Sequence, residues 1–222
     1  MESENKKYEG LKVINGNKDK YNILMVNIIG EVEGHETLPQ GSKTTKYETI
    51  LPELARAEDD ATIQGVLVLL NTVGGDVEAG LAIAEMLASL SKPVVTLVLG
   101  GGHSIGVPLS VSGDISYIVP TATMVVHPIR ITGTVLGVKH NYEYIEKMQD
   151  RIIKFTAGHS DITEDKLRDI MFKTGELSKD VGSMLVGEEA CSAGIINRIG
   201  GIDASLNCLY DLIKSRNNSK IL

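Results

Sequence analysis

From Tyr21 onward three nearly continuous apolar runs, Ile23 to Ile29, Val66 to Leu70 and Val94 to Leu99, are separated by stretches in which apolar residues recur every three or four positions. Unbroken apolar runs this short suit strands buried on both faces of a parallel sheet. Between the first two, Lys46 to Ala57 carries Ile50, Leu51, Leu54 and Ala57 at helical spacing; between the last two, Val77 to Leu90 carries Val77, Leu81, Ala84, Leu87 and Ala88. The predicted order is β-α-β-α-β, an α/β fold of repeated units with a mostly parallel sheet and right-handed crossovers.

The pattern then shortens. Ser104 begins a third helix, short strands fall near Ser116 to Val119 and Met124 to Val126, and a long helix runs from about Asn141 to Ala157 with Ile145, Met148, Ile152 and Phe155 on one face. A further helix starts near Asp161 or Thr163, Glu188 to Ala193 ends at Gly194 as a C-cap, Ile195-Ile196 reads as a brief strand, and Asp203 to Lys214 closes the chain as a helix. Residues 1 to 20 mix Lys, Glu, Asn and Gly with little periodicity and read as a flexible arm. That leaves 21 to 222 as a single domain, long enough to bury a sizeable core.

Composition narrows the partners. A net charge of −7, aromatics at 4% and no Trp leave no basic stripe for nucleic acid or an anionic membrane, and point to a protein or small-molecule partner. The apolar runs fall far below the roughly 20 residues of a membrane span. The polar start Met1 to Lys7 lacks a signal-peptide core, so the cytoplasm is the expected compartment. Cys191 and Cys208 are too few for a disulfide framework and have no metal-ligand spacing; they read as reduced helix cysteines, and no metal or cofactor is expected.

Candidate chemistry gathers at three predicted strand ends. Ser104 lies in Gly100-Gly101-Gly102-His103-Ser104-Ile105-Gly106, between glycines where a strand gives way to a helix. Upstream lies the glycine turn Asn71-Thr72-Val73-Gly74-Gly75-Asp76, and downstream His127 ends the run Met124-Val125-Val126. A serine hydroxyl needs a base to take its proton and N–H donors to meet the oxyanion. If the two glycine turns lie on adjacent parallel strands, the Gly75 and Ile105 N–H groups converge on one oxygen, with His127 as base. Each piece also has an ordinary structural reading: Gly74-Gly75 as a tight turn into a helix that Asp76 caps, His127 as a strand-end histidine satisfied by backbone. His35, His140 and His159 read as surface residues.

Taken together, these segments resemble the proteolytic subunit of the Clp protease, ClpP, over roughly Asn22 to Leu212. Asn71 to Val77 is similar to the family's Asn-Ser-Pro-Gly-Gly-Ser-Val, Gly102 to Gly106 to its Ala-Ala-Ser-Met-Gly, and Val126-His127-Pro128 to its Ile-His-Gln-Pro, one residue shorter. Gly187-Glu188-Glu189-Ala190 to Gly194-Ile195-Ile196 resembles its Ala-Glu-Glu-Ala to Tyr-Gly-Leu-Ile-Asp stretch. The blocks Leu70 to Leu90, Gly100 to Val107, Glu33-Gly34-His35 and Lys43 to Tyr47 are similar to one branch of that family.

The resemblance implies a ClpP or crotonase-like fold with a protruding handle helix. It implies Ser104 as nucleophile, His127 as general base, Gly75 and Ile105 as oxyanion hole, and Gly74, Asp76, Gly102 and His103 as flanking substrate contacts. The activity implied is a serine endopeptidase on peptides or unfolded proteins, assembled as a homo-oligomeric ring such as stacked heptamers. Residues 1 to 20 do not match the family's axial loop, which argues against dependence on an unfolding ATPase. For the third triad member the ungapped match gives Gly182; Asp180 is the nearest acid and is chosen, with Asp169 in reserve. Two other functions stay open: a ring subunit that binds without cleaving, and crotonase-type acyl-CoA chemistry, which uses a similar pair of N–H donors without Ser104 or His127.

Overall fold

The computed structural model of the chain describes residues 12–15, 21–130, 138–175 and 181–219. The three apolar runs are its central strands, β2 (Asn22–Glu33), β4 (Gly65–Gly75) and β5 (Val94–Gly102). They pair in parallel, with β1 (Lys12–Asn15) antiparallel on the outer side of β2 and β3 (Thr44–Lys46) parallel to the end of β2. On the far side β6 (Ile115–Ile118) and β9 (Arg198–Ile199) complete the order β1-β2-β4-β5-β6-β9. A smaller extension carries β7 (Thr123–Val126), parallel to β5 at Gly101 and antiparallel to β8 (Ser183–Val186).

Both faces of the sheet are covered, which is why the runs are continuous rather than alternating. One face packs Val66, Val68 and Leu70 against α1 (Tyr47–Asp59), α2 (Val77–Ala88) and α3 (Gly106–Val111) through Leu54, Leu81, Leu87 and Leu109. The other face packs Leu67, Val95 and Leu97 against Leu209 and Ile213 of α7 (Ile202–Ser219). Each such fully buried Leu contributes about 2 kcal/mol through area removed from water. The long helix α4 (Val138–Gly158) docks through Ile152, Ile153 and Phe155, against α3 and beside α5 (Glu164–Met171), while α6 (Glu188–Ala193) packs on β8.

The expected α/β architecture with a mostly parallel sheet is what the chain adopts, and four local expectations differ from it. Lys12–Asn15, inside the stretch expected as an arm, is strand β1. The central strands run past their apolar stretches into Gly and Asn residues. Ser104 does not begin a helix: α3 starts at Gly106, and its N-cap Ile105 makes no side-chain cap bond. Ile195 and Ile196 form no strand; they turn inward after the left-handed Gly194 cap and bury in the core, and the pairing with β6 passes to Arg198–Ile199.

Candidate active site

The glycine turn and the serine turn lie side by side. Thr72 of β4 pairs with Gly102 of β5, the His103 N–H donates to the Thr72 carbonyl at 3.2 Å, and the Gly101 N–H donates to Asn71 Oδ1 at 2.9 Å. Gly74 (φ 96) and Gly75 (φ 145) carry positive φ, as a chain end folding back against its neighbour requires. The approach is close: a Cβ on Gly74 would fall 2.6 Å from the Ser104 Cβ and 3.2 Å from its Oγ. Thr72 Oγ1 accepts the Gly74 N–H and donates to the Gly30 carbonyl, so the turn is braced against β2.

Ser104 has φ 57 and is the only non-glycine residue with positive φ among the described residues. Its N–H donates to the Val125 carbonyl at 2.8 Å, while the Gly106 and Val107 N–H groups close the following turn on His103 and Ser104. That bond ties the serine to β7, and His127 is the first residue beyond β7. Ile105 is buried and its N–H has no backbone acceptor among the described residues. No hydrogen bond joins the Ser104 hydroxyl to the His127 ring among the described residues.

His127 Nδ1 lies 2.6 Å from the carbonyl oxygen of Pro128. A carbonyl only accepts, so Nδ1 carries the hydrogen, and in the neutral ring Nε2 then presents its lone pair. Gly182 packs on the same residue: a Cβ there would fall 2.8 Å from the His127 Cβ. Of the candidate acids, Asp169 is exposed on α5, and Asp180 lies outside the described residues. His103 is half-buried with Nε2 2.8 Å from Thr123 Oγ1. Burial, and then the nearby His127, hold its pKa below the ordinary 6.5.

Asp76 caps α2, Oδ1 accepting the Ala79 N–H at 2.8 Å, so one carboxylate oxygen is turned to the helix. Gly102 is buried in its pairing with Thr72, whereas Gly75 is exposed. Beside Gly75 opens a cleft of about 310 Å³ lined by Val77, Ile129, Arg130, Ile145 and Met148. Its rim is held by Glu78 of α2, paired through both oxygens with Arg151 of α4 at 2.5 and 2.9 Å. His35, His140 and His159 are exposed. The sequence reading missed Thr72, Thr123 and the Pro128 carbonyl, because a Thr or a main-chain oxygen carries no compositional signal.

Among the described residues no helix is long and apolar enough to cross a membrane, and no group of three or more His, Cys, Asp or Glu is placed to hold a metal. The Clp protease family model matches residues 25–203. The translocation-enhancing protein TepA of Halalkalibacterium halodurans is 50% identical over 198 residues, covering 89% of this chain and 77% of that protein. More distant are the ATP-dependent Clp protease proteolytic subunits of Deinococcus radiodurans, 24% identical over 68% of this chain and 72% of that one, and of Leuconostoc citreum, 26% over 73% and 80%.

Proposed function

Since the chain belongs to the Clp protease family, we propose that it is a serine endopeptidase that cleaves peptides or unfolded proteins through an acyl-enzyme on Ser104. The observation that carries this reading is the backbone of Ser104, at φ 57 in a tight turn between β5 and α3. A left-handed residue bearing a Cβ costs about 1–2 kcal/mol, and strain of this kind gathers where it aims a reacting group. The exposed cleft beside Gly75, with an apolar floor of Ile145 and Met148, is suited to a peptide side chain next to the reacting carbonyl.

In this reading Nε2 of His127 takes the Ser104 hydroxyl proton as Oγ bonds to the substrate carbonyl carbon, and the C=O electron pair moves onto oxygen. The Gly75 and Ile105 N–H groups meet that oxygen; one such donor is worth about 10²- to 10³-fold in kcat. Collapse breaks the C–N bond, the amine leaves with the proton from Nε2, and water hydrolyses the acyl ester by the same route. The Ser104–His127 hydrogen bond belongs to the substrate-bound state, since such bonds tighten on binding. The working form is a ring of identical subunits, to which α4 offers the exposed Tyr142 and Tyr144.

A second reading is a ring subunit that binds partners without cleaving them. The unmade Ser104–His127 hydrogen bond favours it. The two part in one experiment: mass photometry to establish the ring, then labelling by a fluorophosphonate probe and hydrolysis of casein or fluorogenic peptides. The peptidase labels and cleaves, Ser104→Ala does neither, and His127→Ala is slower by about 10²- to 10⁴-fold. Equal labelling of wild type and Ser104→Ala would refute the nucleophile; intact rings that cleave nothing would favour the scaffold.

A further inference from the structure

We propose that Gln149 of α4 and the Pro128–Ile129 peptide group form a relay that orients His127, in the place a triad carboxylate would occupy. The proposal rests on the reading of His127 as the base for Ser104.

A single peptide group is held from both ends. Its carbonyl, on Pro128, lies 2.6 Å from His127 Nδ1, and its N–H, on Ile129, donates to Gln149 Oε1 at 3.2 Å. Gln149 is 8% exposed, so its amide is drawn from the polar residues that helices seldom bury without a task. Pro128 adds stiffness: its ring fixes φ, one of the two torsions that swing the carbonyl. Hydrogen bonds in series polarise one another, so the Gln149 bond strengthens the carbonyl as an acceptor.

At residue 182 the space a side chain would need is filled by the main chain of Val126 and by His127. Residue 182, where the ungapped family match calls for an acid, is a glycine at φ 133 whose N–H donates to the Lys173 carbonyl at 2.8 Å. A Cβ there would fall 2.5 Å from the Val126 carbonyl oxygen and 2.8 Å from the His127 Cβ, so no side chain can start from that position. The carbonyl then does what an orienting acid does: it fixes hydrogen on Nδ1 and leaves Nε2 free to accept. It also carries no full negative charge toward the imidazolium.

The test compares Gln149→Met, which keeps the volume and removes the acceptor, with Gln149→Glu, which keeps an oxygen at that position, and with Asp180→Asn. Expected for Gln149→Met is a kcat lower by at least about tenfold with KM unchanged, short of the roughly 10⁴-fold that a wrong tautomer costs, and recovery in Gln149→Glu. Nitrogen-15 spectra of the imidazoles, with His127 assigned by His127→Gln, report the Nδ1–H tautomer in wild type and a mixture in Gln149→Met. Wild-type kinetics in Gln149→Met, or a loss beyond tenfold in Asp180→Asn, would overturn the relay. The tautomer readout needs no turnover, so a protein that cleaves nothing refutes the peptidase reading while the spectrum still decides the relay; if Gln149→Met fails to form rings, Asp180→Asn and the wild-type spectrum decide it alone.

Discussion

Gly182 is packed on His127 so closely that the two residues share one van der Waals shell: a Cβ at 182 would lie 2.8 Å from the His127 Cβ and 3.0 Å from its Cα. Gly182→Ala therefore displaces the histidine as well as straining a backbone at φ 133. The expected outcome is a loss of roughly 2 kcal/mol or more and strongly slowed probe labelling. Gly175→Ala is the matched comparison, since Gly175 also has positive φ, 87, but nothing lies within 4 Å of its Cβ direction. It carries the backbone strain alone, about 1 kcal/mol, and labels at the wild-type rate. Thermal melts and labelling time courses of the two variants check both halves; equal labelling would show that the packing on His127 does not matter.

Ser104→Gly and Ser104→Ala separate strain from chemistry. Both remove the hydroxyl and abolish labelling, yet only glycine adopts φ 57 at no steric cost. Relief of left-handed strain is worth about 1–2 kcal/mol, offset by about 0.4–1 kcal/mol from the freer unfolded chain. Ser104→Gly is therefore more stable than Ser104→Ala by about 1 kcal/mol, or about 2–4 °C in Tm for a chain of this size. Ser104→Ala melting at or above Ser104→Gly would remove the strain argument.

Hydrophobic continuity made the middle of the sheet legible and said little about its ends. Val66 to Leu70 reads as a buried strand because both neighbouring layers demand apolar side chains, but β4 goes on to Gly75 through Asn71, Thr72 and two glycines that no periodicity marks. Those residues are held by ladder bonds and by the Thr72 hydroxyl, and of them only Thr72 and Gly74 are buried. Asp76 was legible as a cap because its spacing to the helix start is local. Contacts between residues far apart in the chain were not: Gln149 reaches the Ile129 N–H across 20 positions, and His103 reaches Thr123 across another 20. The positive φ of Ser104 also escaped, since a serine between glycines reads equally well as an ordinary helix start.

His103 makes stability depend on pH in one direction. Its pKa in the folded chain lies below 6.5 because burial first, and the nearby His127 second, disfavour the protonated ring. Nε2 is hydrogen-bonded to the Thr123 hydroxyl, and no carboxylate is among the groups that shift the ring. Above about pH 6.5 both folded and unfolded chains hold the ring neutral, and the shift costs nothing. As pH falls below 6.5 the unfolded chain takes up the proton first, so the unfolded state is favoured and stability drops until the folded-state pKa is passed. Because the ring is only half-buried, solvent screening keeps the effect modest. His103→Gln keeps a polar partner for Thr123 and removes the titration, so its Tm falls less than that of wild type between pH 7 and pH 5 while the two agree at pH 7.5 and above. Parallel melting curves of the two proteins across that range would mean that His103 protonates as readily folded as unfolded.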